Sequence, residues 1–435
     1  MKNRHWMIGV MCWGAVGLMS GQVRLLRMDE MFQLADRSSK SINLHALAVD
    51  EAEQAVRVAR NGQLPTIQAA MEFKYIGDGC MTDRDFTNGI HADMPHYGNS
   101  FVVKASQVVY AGGRISRSIE QAELNRQVSE LEYRKNRQDV RFLLLGHYLD
   151  LYQLHNQQVV YQKNIEQTRL LVKDMQAAYR QGTALKSDIT RYELQLQNLE
   201  LGLTSTLNQI DVLNHRLVTT LGLEPGVHLV PDTTALRQLS VDAEQEGFWQ
   251  SEAKSSPQMQ IAGLQVELGK NSQQLIRSER RPHISLVAAN DFTGPILVEV
   301  PLLDKNFTYW YAGVGISYNF DALFKSKRKL QQAKLHTRKM EAQQELVAEE
   351  LDHTIHKAYV DLKEAYIRLR TQEKSLQLAH ENFHIVRQRY LNGLALITDM
   401  LDASNTQLDT ELQLANDQIE ILYQYYLLKK ITGTL

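Results

Sequence analysis

The chain has little cysteine, little proline and almost no net charge. Its 435 residues include 2 cysteines, 8 prolines and 24 glycines, with 48 basic side chains against 50 acidic ones. A balance so near zero supplies no basic field for nucleic acid and no acidic tail that would hold a segment in solvent. Beyond the N-terminus no stretch stays apolar for the ~18 residues a membrane-crossing helix needs. If the chain enters a lipid bilayer, it must do so as β-structure. Cys12 lies in the N-terminal apolar run, so once that run is removed only Cys80 is left and no internal disulfide can form.

The N-terminus has the layout of an export signal over residues 1–21. Lys2, Arg4 and His5 precede an apolar run from Trp6 to Met19, and Ser20 and Gly21 follow. The run is too short to span ~30 Å of hydrocarbon, and the mature chain is expected to start near Gln22. Met19 departs from the small-residue pattern of a cleavage site. Cys12, with Gly9 three residues ahead of it, lacks the leucine of a lipoprotein processing site, which argues against lipidation.

What the chain does contain is the same plan twice. "YRQGTALKSD" from Tyr179 to Asp188 returns as "YLNGLALITD" from Tyr390 to Asp399. At the same offset Ala122 and Leu124 face Ala333 and Leu335, and "YLDL" from Tyr148 faces "YVDL" from Tyr359. Val140, Leu144, Tyr148 and Leu151 face Leu351, Ile355, Tyr359 and Leu362. A constant offset over so long a stretch is the mark of an internal duplication. The expected division is a first repeat over residues 22–240 and a second over 241–435, each opening with a helix.

Within each copy a very long helix is expected. From Arg114 to Gln181 there is no proline and only Gly146 interrupts; from Asp321 to Asn392 there is neither proline nor glycine. Apolar residues recur at steps of four and three, with Glu, Gln, Lys and Arg between them. Seventy such residues make a rod of about 105 Å. Gly182 and Gly393 stop the two rods, and second helices follow near 184–222 and 396–430. The hairpins then cover 112–222 and 321–432, with the repeated motif as their turns. Ahead of each rod are two segments of period two, near 65–76 and 99–110 in the first copy and 282–293 and 308–320 in the second. In the first, Ile67, Ala69, Met71, Phe73 and Tyr75 share a face. Four strands cannot close a barrel, for which about eight is the lower bound. An open edge in lipid leaves backbone groups unpaired, so several copies must contribute to one barrel.

The chain resembles the TolC-like outer-membrane efflux proteins over its mature length. "LPTIQAA" near Leu64, "QVVYAGGRISRSIEQAE" from Gln107, and the paired "YRQGTALKSD" and "YLNGLALITDMLDA" carry the resemblance, together with the duplicated order of strands and hairpin. It implies a mixed α and β fold: a homotrimer whose transmembrane β-barrel takes four strands per chain, twelve in all, continued by an antiparallel helical coiled-coil tunnel in the periplasm. It also implies a non-enzymatic channel of a tripartite efflux or type I secretion system. The partners would be a periplasmic adaptor (membrane fusion) protein, an inner-membrane RND or ABC transporter and outer-membrane lipid, with no cofactor and no nucleic acid. The segments 76–97 and 294–306 would be external loops.

The same resemblance marks a gate at the turns. Asp399 and Asp402 match the family's constriction motif, in which three chains stack two rings of carboxylate; alternatively Asp399 starts a helix beside Thr398. Asp188 is the first copy's counterpart of Asp399, and where the second copy has Asp402 the first has Arg191, a partner for Asp188 one turn away. Tyr390 matches a tyrosine that locks the closed entrance, or else packs in a core. Ala395 stands where relatives often carry an arginine of that lock. "HENFH" from His380 to His384 fits a zinc-protease pattern, but it lies mid-helix, lacks a third ligand at the longer spacing, and faces "RLLVK" in the first copy. A periplasmic adaptor, the remaining alternative, would carry one hairpin rather than two.

Overall fold

The structure, a computed structural model, describes residues 23–232, 244–297 and 303–435. The expected export signal lies outside the described residues. The chain divides into two compact units: one comprises residues up to Asn43, Arg137–Gln250 and Thr354–Leu435, the other Leu44–Asn136 and Ser251–His353. Two long helices, α3 (Arg114–Arg180) and α7 (Asp321–Leu391), supply residues to both.

The second unit holds a four-stranded antiparallel sheet made of β2 (Thr66–Tyr75), β5 (Tyr97–Tyr110), β7 (His283–Gly294) and β8 (Phe307–Ser317), in the order β2-β5-β7-β8. Each copy therefore donates one hairpin, and the copies meet where β5 pairs with β7. Val102 opposite Asp291 and Ala105 opposite Ala288 fix that register, which slips once between Val108 and Tyr110. All ten residues of β2 are exposed, as is nearly all of β8. The strand expected over 308–320 ends at Ser317 instead. The Asn319 side chain accepts the Asp321 N–H at 3.1 Å and its carbonyl accepts the Ala322 N–H at 3.2 Å. That turn starts α7 and takes Tyr318–Phe320 off the ladder. Between β2 and β5 a short ribbon, β3 (Gly79–Met81) paired with β4 (Ile90–Ala92), interrupts the connecting segment.

The first unit is helical. It is built on α1 (Met28–Ser38), the hairpin of α3 with α4 (Lys186–Leu221), and the hairpin of α7 with α8 (Ile397–Thr432). In α7 the buried positions Leu351, Ile355, Ala358, Leu362 and Ala365 step by four and three, the spacing that keeps a coiled-coil seam turned to its partner. Arg169 bonds Glu200 at 2.7 Å and Gln176 bonds Glu193 at 3.5 Å, which sets α3 antiparallel to α4. The main core combines Leu144, Leu145, Tyr148 and Leu151 of α3, Leu217 and Leu221 of α4, Met31 and Ala35 of α1, and Leu422 of α8. Each leucine or methionine among them contributes about 1.5–3 kcal/mol through burial.

Two features close this core. Residues β1 (Val23–Leu26) and β6 (His228–Pro231) form a parallel pair, and the buried Tyr148 hydroxyl lies 3.1 Å from the Leu26 carbonyl and 3.2 Å from that of Asp232. Burial pushes the Tyr148 phenol up to about 12. The Asn214 amide bonds the Val227 carbonyl and the Leu229 N–H, both at 2.8 Å, and so pairs β6 as a strand would. At the edge, Asp36 receives Arg137 and Arg141, each at 2.6 Å. Burial alone would raise the Asp36 carboxyl, but the two guanidinium groups outweigh it and hold it low.

Each expected leading helix is in fact two. In the first copy α1 and α2 (Lys40–Asn61) part at Ser39, whose backbone is extended. In the second, α5 (Glu246–Ala253) and α6 (Pro257–Ser278) part before Ser256, whose side chain accepts the Met259 N–H while Pro257 opens the helix. Among the described residues no helix is long and apolar enough to cross a membrane.

Candidate gate at the hairpin turns

The two turns share one construction. At the end of α3 the Gly182 N–H bonds the Tyr179 carbonyl at 3.0 Å and the Thr183 N–H reaches back to Ala178 at 2.9 Å; at the end of α7 the Gly393 N–H bonds Tyr390 at 2.9 Å and the Leu394 N–H bonds Arg389 at 2.8 Å. These are glycine-terminated helix ends, with φ of 77° at Gly182 and 72° at Gly393. A Cβ at either glycine meets nothing within 4 Å in this chain. The glycines answer the backbone angle, not crowding within the chain.

Past the turns the copies diverge. In α8 the Asp399 carboxylate turns back to accept the Leu396 N–H at 3.0 Å, satisfying one of the helix's orphan donors. Asp188 holds the equivalent place in α4 but makes no such bond; its carboxylate accepts from the Ser187 hydroxyl at 3.4 Å. No Asp188–Arg191 ion pair forms. Instead Asp188 faces Tyr390 of the other hairpin: burial raises the Tyr390 phenol, and the negative charge of Asp188 raises it further. Asp402 is exposed, and its backbone carbonyl accepts the Thr406 hydroxyl at 2.9 Å. In the second turn Arg389 bonds the Leu394 carbonyl at 3.3 Å, next to Ala395.

Below the turns the hairpins meet in a small core. Leu171, Val172 and Met175 of α3, Ile189 and Tyr192 of α4, and Ile397 and Met400 of α8 are buried, with Tyr390 of α7 packed against them. Tyr390 is therefore a half-buried residue packed on this core, within reach of the charge of Asp188. Tyr192 is 1% exposed, its hydroxyl has no partner, and burial drives its phenol strongly upward.

One residue that the sequence reading passed over organises the middle of the four helices. Glu411 of α8 is only 8% exposed and binds Lys163 of α3 at 2.9 Å, Gln407 at 3.0 Å and His380 of α7 at 3.4 Å. His380 thus serves Glu411, while His384 is exposed and no metal-ligand group among the described residues includes either. His353 and His356 are each paired with a glutamate, Glu349 at 3.5 Å and Glu246 at 2.7 Å. A carboxylate in a helical period gave no sign in the sequence of collecting partners from three helices.

A four-stranded antiparallel sheet and two matched helical hairpins are the elements of channel proteins rather than of enzymes. The chain belongs to the outer membrane efflux protein family, whose profile matches residues 31–223 and 249–434. No curated protein matches it in sequence. Among solved structures it is similar to the outer-membrane channel OprN, at 15% identity and a TM-score of 0.75 over 94% of this chain and 90% of that one. VceC of Vibrio cholerae matches at 15% identity and 0.76 over 93% and 96%, and the open state of MtrE from Neisseria gonorrhoeae at 15% and 0.73 over 94% and 89%. At such identities the likeness is one of fold.

Proposed function

We propose that three copies of this chain form an efflux channel of the outer membrane, each giving four strands to a twelve-stranded barrel and four helices to a periplasmic tunnel. The supporting observation is the sheet. Ile67, Met71, Phe73 and Tyr75 on β2 and Trp310, Val314 and Ile316 on β8 are 64–77% exposed. Both of these strands are edges, and long apolar edges of this kind would aggregate in water. Lipid outside and a neighbouring chain at each edge would satisfy both the side chains and the ladder.

In this reading residues 1–21 direct export, and residues 22–240 and 241–435 are the two repeats. The turns form the periplasmic mouth, where Asp399 and Asp402 give rings of charge and Asp188 with Tyr390 bridges the hairpins. A periplasmic adaptor and an inner-membrane RND or ABC transporter would deliver the cargo. The test is cross-linking. With Cys80 replaced by serine, cysteines placed along β2 and β8 should yield a disulfide-linked trimer in one register. A purified protein that stays a folded monomer in lipid, with no register giving cross-links, would sink the shared barrel.

A further inference from the structure

The β3–β4 ribbon lies in unit two, away from the hairpin turns in sequence, and carries its own chemistry. Cys80 pairs with His91 across it, and Gly79 with Ala92. Residues two apart on a strand share a face, so Asp78 and Cys80 stand on the same face as His91 and Asp93. The two carboxylates flank the same end of the ribbon, an arrangement that like charges disfavour. The His91 ring lies between them, its Nε2 3.4 Å from Asp93 Oδ1 and 3.7 Å from Asp78 Oδ2. The three donor atoms all lie within 4.8 Å of one another. Ligands bonded to one tetrahedral ion at about 2.1 Å are about 3.4 Å apart, so small side-chain rotations suffice.

Asp78 is held in place for this role. Its Oδ1 accepts the Met94 N–H at 3.2 Å, which leaves Oδ2 turned to His91. His96 borders the group, its ring stacked on Tyr75 with centroids 5.4 Å apart and its Nδ1 3.0 Å from the Ile76 carbonyl.

We propose that Asp78, His91 and Asp93 bind one divalent transition-metal ion of the zinc class. One imidazole nitrogen with two carboxylate oxygens suits zinc and its neighbours, and leaves a position for water. Calcium and magnesium prefer sites made wholly of oxygen. Spacing in the sequence hides the site, because Asp78 and His91 are brought together by strand register and not by a helical turn. The inference does not depend on where the channel resides.

The full chain, purified in detergent and stripped with a chelator, is titrated with zinc by calorimetry at about pH 7.5. One saturable zinc per chain is expected. His91→Ala should abolish it, Asp93→Asn should weaken it by about ten-fold or more, and His356→Ala should leave it unchanged. Excess calcium should not displace the zinc. All three ligands are exposed, so unaltered circular dichroism is expected of the variants. Absence of saturable zinc uptake, equal uptake by His91→Ala, or displacement by calcium would each overturn the proposal.

Discussion

Asp399 has one observed role and one proposed, which a single substitution would confuse, and separating them is the sharpest test of the proposed gate. Its carboxylate caps α8 through the Leu396 N–H, and with exposed Asp402 it would supply charge to a trimeric entrance. An amide keeps the first role and loses the second, because the asparagine oxygen still accepts from Leu396. For a cation on the axis at about 6 Å, each carboxylate is worth roughly 0.7 kcal/mol at the dielectric of water. Screening over a Debye length of about 8 Å halves that. A ring of three then gives about 1 kcal/mol and two rings about 2 kcal/mol, a bias of roughly thirty-fold between a cation and none. Asp399→Asn with Asp402→Asn should therefore cut cation preference by roughly thirty-fold in reversal potentials of single channels, while hydrogen exchange in the turn 390–397 stays as it was. Asp399→Ala should also lose the cap, worth about 1 kcal/mol, and speed exchange there about five-fold. Asp402→Ala should alter selectivity alone. Unchanged selectivity in the double asparagine variant would refute the reasoning and leave Asp399 as a cap.

Two further outcomes follow from the helical unit. Gly393→Ala should cost about 1–2 kcal/mol through its positive φ, read as faster exchange of the Leu394 amide; Gly393→Asn should cost less, and an asparagine worse than alanine would point to crowding instead. Glu411→Gln should lower resistance to urea at neutral pH by about 1–2 kcal/mol. Burial opposes the Glu411 charge, but bonds from Lys163 and Gln407 and the charges of Lys163 and His380 outweigh it and hold the carboxyl below the usual range. A depressed value means stability present above the ordinary glutamate range, about 4.3, and lost as pH falls through the folded value. Wild type and variant should thus converge in acid, and a gap that persists there would contradict the assignment.

The hairpins and most of the sheet were legible because their signals are long and repeated: helices α3 and α7 have no proline, and β2 alternates over ten residues. Elements set by distant pairing were not. β1 and β6 are four residues each, and nothing in "VRLL" announces a partner two hundred positions on. The hairpin turns were legible in position only. Asp188 and Asp399 occupy the same place in the repeat, yet the first acts by its charge on Tyr390 of the other hairpin and the second caps its own helix at Leu396. His380 is the opposite case, a motif match set aside in the sequence, whose ring lies 3.4 Å from Glu411.

The turns at Gly182 and Gly393 and the helix ends at Gly222 and Gly433 all keep the one offset, and α4 and α8 are both 36 residues long. The two hairpins thus act as a matched pair of rulers. Removing seven residues from one arm would draw a single turn back by about 10 Å and leave its counterpart standing, with the shared core around Tyr192 split between two levels. Only a change made in all four helices at once keeps the turns level. The distance such a protein can reach is therefore inherited as a quantised length, open to change in coordinated steps and closed to drift by single insertions.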